Sequence, residues 1–136
     1  MSAAPAEVVR AIYAAWNSHD IEQVVAQIDE SFEADMSERV FNPEVYRGQD
    51  GVRRFFADTA EIWKDVRVEI TDLYENGDFV LATFRAIGKG IGSGLEVAME
   101  IYQLWTVRDG RAVRFKGFQD RARAFEEAGL ADPALG

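Results

Sequence analysis

The sequence predicts an α+β fold, with helices in its first half and a run of antiparallel strands after them. Three observations predict it. Apolar residues recur at helical spacing early in the chain: Val9, Ile12 and Trp16, then Ile21, Val24, Val25 and Ile28. In the second half they alternate with a period of two, as in Val66, Val68 and Ile70 and again in Val97, Met99 and Ile101. Two hairpin signals, Asn76-Gly77 and Asp109-Gly110, separate strand-like runs.

The elements follow in order. Pro5 suits the first turn of the first helix, because its ring presets φ and its missing N–H is not needed there. Asn17-Ser18-His19-Asp20 breaks that helix. Asp20 followed by Gln23 resembles a capping box and starts a second one. Phe32, Ala34 and Met36 alternate with Glu33, Asp35 and Ser37 in a short, half-buried strand. A loop with Asn42-Pro43 leads past Gly48 to a third helix, which turns Val52, Phe55, Phe56, Thr59 and Trp63 inward. Four strands come next, covering Val66 to Ile70, Phe79 to Ile87, Val97 to Val107 and Val113 to Gln119. A short helix, Arg121 to Ala128, closes the chain before Gly129. Neither a repeat nor a linker interrupts it, so residues 1–136 read as one domain.

Composition excludes several functions. With 48% hydrophobic residues the chain can bury a core. It has no cysteine, which removes disulfides, thiolate metal sites and a thiol nucleophile. Its single histidine, His19, cannot build a catalytic triad or a histidine-rich metal site. The alternating glycines from Gly88 to Gly94 match neither a P-loop nor a dinucleotide fingerprint. No metal and no cofactor is expected. A net charge of −9 repels nucleic acids and anionic membranes. Acidic residues interrupt the one basic run, Arg108 to Arg123, so neither is expected as a partner. The N-terminus has no signal-peptide pattern and no apolar stretch is long enough to span a bilayer, so a cytoplasmic location is expected.

Three segments carry a resemblance: AIYAAWNSHDIEQVVAQIDESFEADMS, YRGQDGVRRFF and YQLWTVRDGRAVRFKGF. Together they resemble the SnoaL-like and ketosteroid-isomerase-like branches of the nuclear-transport-factor-2-like superfamily, over about residues 6 to 128. The resemblance implies a cone-shaped, curved antiparallel sheet packed on three N-terminal helices. It implies a pocket between the first and third helices and the concave sheet face, and a convex face that pairs two subunits. The superfamily holds isomerases, cyclases, epoxide hydrolases, dehydratases and binding modules, so the fold alone does not select a function.

Aligned on Asp20 and the Asp109-Gly110 hairpin, the isomerase positions for Tyr, Asp and Asp hold Ile12, Met36 and Gln103. Tyr13 and Asp35 each stand one residue away. The epoxide-hydrolase pattern is absent, since Arg85 is followed by Ala86 and Ile87, and Gly117 stands where an Asp would sit. The expected apolar lining is Ile12, Trp16, Phe32, Met36, Phe55, Trp63, Trp105 and Phe115. Alternation and the hairpin alignment add Thr83, Arg85, Gln103 and Gln119 as inward polar residues. An inward guanidinium needs a partner, and a bulge would turn Asp35 toward Arg85, where it could serve as a general base.

Three functions stay open. One is binding of a small apolar or amphipathic molecule. Another is a cyclase, isomerase or hydratase using Asp35. The last is a protein-interaction module whose convex face, with Tyr102, Leu104 and Phe118, binds a partner; the alternative for those three residues is burial in a homodimer.

Overall fold

A computed structural model describes residues 4–39 and 42–134. Among them the elements run α1 (Pro5–Asn17), α2 (Ile21–Val25), β1 (Ile28–Asp35), β2 (Val45–Arg47), α3 (Gly48–Ile62), β3 (Trp63–Asn76), β4 (Phe79–Gly90), β5 (Glu96–Arg108), β6 (Arg111–Phe118) and α4 (Arg121–Ala128). No helix among the described residues is long and apolar enough to cross a membrane.

Local chemistry sets the boundaries. Pro5 opens α1, which buries Val8, Val9, Ile12, Tyr13 and Trp16 along one stripe. The Asp20 carboxylate accepts the Gln23 N–H at 3.1 Å and caps α2. Asp120 caps α4 in the same way, taking the Arg123 N–H at 3.2 Å. Gly129, left-handed at φ 69°, ends that helix, as a C-terminal glycine does without steric cost.

The strands form one six-stranded sheet in the order β2-β1-β6-β5-β4-β3. It is mixed rather than wholly antiparallel, because β1 lies parallel to β6. The chain leaves β1, builds the rest of the sheet, and returns beside it in the same direction. β2 was not expected at all. Its three residues lie where the sequence reads as loop, and they pair with Glu33, Ala34 and Asp35. α3 stops one residue short of Trp63, whose extended backbone (φ −126°, ψ 139°) starts β3 instead.

The two sheet faces have different covers. On the concave face lie α1, α2 and α3, around a core that includes Ile12, Tyr13, Trp16, Phe32, Phe55, Phe84, Trp105 and Phe115. On the convex face α4 lays Ala124, Phe125 and Ala128 over Leu81, Tyr102, Leu104 and Phe118. Tyr102, Leu104 and Phe118 are the residues expected to face a second subunit. The chain's own C-terminal helix already covers them.

Candidate functional site

The polar centre of the cone is a chain of two hydrogen bonds. Tyr13 lies on the inward stripe of α1, while Gln103 and Trp105 point to the same side of β5, two residues apart. The Trp105 indole N–H donates to the Tyr13 hydroxyl at 2.8 Å. That hydroxyl donates to Gln103 Oε1 at 2.5 Å. All three side chains are buried. Burial drives the Tyr13 hydroxyl far above the ordinary phenol range, and the Trp105 N–H only partly offsets this, so Tyr13 stays a neutral donor. Gln103, a carboxamide, can hydrogen-bond but cannot act as a general base.

Aromatic rings surround this chain. The Tyr13 ring lies 5.4 Å from Phe84 and meets Trp105 edge-on at 5.7 Å. Trp105 continues to Phe115 at 5.0 Å, and Trp16 is closed over by Phe56 at 4.8 Å. The hollow left between these walls, bounded by Trp16, Phe32, Phe55, Phe56, Trp105 and Phe115, is about 10 Å³. That is at the lower limit for one water, and its walls are apolar, so in this conformation the cone is packed shut. A larger hollow of about 450 Å³ lies on the outer surface beside Phe79, Thr106, Arg108 and Arg114, wide open to solvent.

Of the residues expected in the pocket, Ile12, Trp16, Phe32, Phe55, Gln103, Trp105 and Phe115 are brought together and buried. Met36 packs at the edge of the same core. Its sulfur would lie 2.9 Å from a Cβ on Gly117, so Met36 fills the space that an acidic side chain there would need.

The other expected residues do not meet there. Arg85 lies on the convex face, exposed, 3.6 Å from Glu69. Thr83 shares that face and contacts the Thr71 hydroxyl at 2.7 Å. The reason is competition for the inner face of β4, which Val80, Ala82 and Phe84 occupy. Trp63 packs beside Gly88 and Gly90, away from the aromatic cone, and Gln119 is exposed. Asp35 is turned outward too. β1 keeps strict alternation around it, placing Ala34 in the core and pairing Asp35 with Lys116 in register. Its carboxylate accepts from Arg114 at 2.7 Å and from the Ser37 N–H at 2.9 Å. Burial pushes its pKa up, but the Ser37 hydrogen bonds and the Arg114 and Lys116 charges outweigh it and hold the pKa below the usual range. A carboxylate stabilised in this way is a weak base, and it faces away from the cone.

Tyr13 is the site residue that the pocket assignment missed. The signal was its position beside Ile12 on a broad apolar stripe, where both residues are buried. Among the described residues no group of three or more His, Cys, Asp or Glu could hold a metal ion.

Comparison with known proteins places this architecture. No curated protein matches the chain. Among solved structures, TerC, co-crystallised with polyporic acid, superposes with a TM-score of 0.77 at 23% identity, covering 91% of this chain and 96% of TerC. An NTF2-like protein from Burkholderia thailandensis gives a TM-score of 0.78 at 25% identity, covering 95% of this chain and 99% of its own. IdmH from Streptomyces antibioticus, a candidate polyketide cyclase, gives 0.75 at 22% identity, covering 94% of this chain and all of IdmH (100%). The family described as "SnoaL-like domain" matches residues 9–115. The chain therefore belongs to the SnoaL-like domain family, with the nuclear-transport-factor-2-like, ketosteroid-isomerase-like fold.

Proposed function

We propose that this domain binds a flat, apolar, carbonyl-bearing small molecule inside the aromatic cone, with Tyr13 as its hydrogen-bond donor. The observation that carries the reading is the buried chain from Trp105 through Tyr13 to Gln103. Burying polar groups in an apolar core costs free energy unless they are paired, and here the indole N–H, the phenol hydroxyl and Gln103 Oε1 are paired with one another. A ligand carbonyl that replaces Gln103 as acceptor keeps the Tyr13 donor satisfied. The surrounding rings suit a planar hydrophobic body. The related fold of TerC, crystallised with polyporic acid, supports the same class of ligand.

Binding requires the closed cone to open. Phe56 is the natural gate, since it is only half-buried and its edge lies on Trp16. An enzyme working through Asp35 is disfavoured by that residue's ion pair on the opposite sheet face.

Titration with polyporic acid tests the proposal, read by quenching of the Trp16 and Trp105 fluorescence. Saturable quenching is expected, with Tyr13→Phe weakening it by roughly fivefold to tenfold, the value of one hydrogen bond. Absence of quenching up to the solubility limit, or an unchanged affinity in Tyr13→Phe, would overturn it.

A further inference from the structure

We infer that the domain carries a second ligand site, on the convex face of its sheet, and that this site takes a small aromatic carboxylate. The site is the outer hollow of about 450 Å³ beside Phe79, Thr106, Arg108 and Arg114. It lies across the sheet from the aromatic cone, and no residue of α4 lines it.

Strand register builds the hollow. Phe79 pairs with Thr106, Thr106 with Arg114, and Arg114 with Glu33. Residues opposite one another on a ladder share a face, so these four form one row across β4, β5, β6 and β1. Two residues along, Leu81 and Leu104 occupy the same face beneath α4. A bulge adds a fifth member. The ladder of β5 and β6 steps from Thr106 opposite Arg114 to Val107 opposite Ala112, which leaves Val113 as an extra residue. Ala112 and Phe115 both face the core. Val113 and Arg114, although adjacent in sequence, therefore both line the outer hollow. Bulges re-aim side chains in this way, and they concentrate beside functional sites.

Thr106 is the residue that points to a ligand. It is only 7% exposed, and its hydroxyl makes no hydrogen bond among the described residues. That hydroxyl is not sealed in either, since Arg39 Nε is the buried side-chain polar atom without a partner among them. It opens on the hollow with its donor unused. A buried strand position of this kind is better filled by valine, which has the same shape and no polar group to desolvate. A ligand that accepts from the hydroxyl supplies the missing bond.

The walls set the class of that ligand. Arg108 has donors to spare, because its ion pair with Asp78 spans 3.8 Å between two well-exposed side chains. Arg114 is held in place by Asp35 at 2.7 Å. The Glu33 carboxylate is already shared between Arg47 and Arg114. Two guanidiniums thus face one paired carboxylate, a local exception in a chain of net charge −9, and the exception favours an anion. Phe79, 41% exposed, and Val113 add an apolar wall. An inorganic anion would leave that wall in water. An aromatic carboxylate lays its ring on Phe79 and Val113, while its oxygens accept from the Thr106 hydroxyl and the Arg108 guanidinium.

Benzoate is the probe, and the amide and indole chemical shifts of the isotope-labelled whole chain are the readout. The hollow is open, so binding in about the millimolar range is expected. Saturable shifts should centre on Thr106, Arg108 and Val113 and leave the Trp16 indole unmoved. Acetate lacks the ring and benzamide lacks the charge, and each should bind at least about fivefold more weakly. Arg108→Met should weaken benzoate about tenfold and, at an exposed position, keep the wild-type circular dichroism. Thr106→Val should weaken it about fivefold while the melting temperature stays equal or rises, which removal of a structural hydrogen bond would not allow. Shifts that never saturate, that acetate reproduces, that centre on the Trp16 indole, or that persist unchanged in Arg108→Met would overturn the proposal. So would a lower melting temperature in Thr106→Val.

Discussion

Tyr13 on α1 and Gln103 on β5 stand 90 residues apart in sequence and share a 2.5 Å hydrogen bond in the cone. The Trp105 N–H completes the chain from the same strand. One phenol hydroxyl thus ties the first helix to the centre of the sheet while serving two partners.

Tyr13→Phe keeps the ring and removes that hydroxyl. The Trp105 N–H and Gln103 Oε1 are then both left without their partner inside the core. The expected cost is about 1–3 kcal/mol of stability, set by the unpaired groups rather than by lost packing. Urea unfolding followed by tryptophan fluorescence measures it. A loss near zero would mean that water reaches the site.

Asp35 gives a pH signature. Its folded pKa lies below the ordinary value, after the Ser37 bonds and the Arg114 and Lys116 charges overcome the effect of burial. Folding is therefore favoured by the ionised form. The stability it adds is present above the unfolded carboxyl pKa of about 3.9 and is lost as the pH falls through the lower folded value. Asp35→Asn should be less stable than wild type at neutral pH, with the gap closing below about pH 4. Denaturant melts across that range test this. Quenching by polyporic acid should be the same in both proteins, because Asp35 lies on the far side of the sheet.

These two residues also mark how far the sequence could be read. Helix caps, hairpin turns and alternating strands are local signals, and Asp20, Asn76-Gly77 and Asp109-Gly110 all act where the sequence places them. The site was harder because its ambiguities were about faces. β4 is buried on both sides, under α1 on one face and α4 on the other, so both of its alternating sets are apolar. Pattern could not choose between Phe84 and Arg85. On α1 the apolar stripe is wide enough to bury both Ile12 and Tyr13, and alignment placed only Ile12 in the cone. The parallel pairing of β1 with β6 depends on contacts between distant segments, which no local period records.

The covered convex face supplies a third prediction. Phe125 on α4 meets Tyr74 edge-on at 5.1 Å and lies under the Arg121 guanidinium at 4.9 Å. Phe125→Ala should cost about 3–5 kcal/mol, as loss of a buried aromatic does. It should also loosen the cover over Leu81, Tyr102, Leu104 and Phe118, increasing binding of a hydrophobic dye and promoting aggregation. A variant that is destabilised but binds no more dye would show that α4 stays docked without its anchor.

Asn17 makes a fourth prediction, from the way a single carboxamide imitates a strand. Its Nδ2 donates to the Val68 carbonyl at 2.8 Å, and its Oδ1 accepts the Val68 N–H at 2.7 Å. The N–H and C=O of one strand residue point to the same side. Both bonds therefore lie on the edge of β3 that faces away from β4, and they fasten the end of α1 there. Asn17→Ala removes both and should cost about 1–2 kcal/mol, because water can partly replace what is lost. Asn17→Asp separates the two. Its carboxylate still accepts the Val68 N–H but cannot donate to the carbonyl, and it repels that oxygen. Amide hydrogen exchange distinguishes these cases at one residue. The Val68 amide should exchange much faster in Asn17→Ala and remain protected in Asn17→Asp, although both variants lose stability. Equal protection in all three proteins would mean that β3 holds this edge closed without the clip.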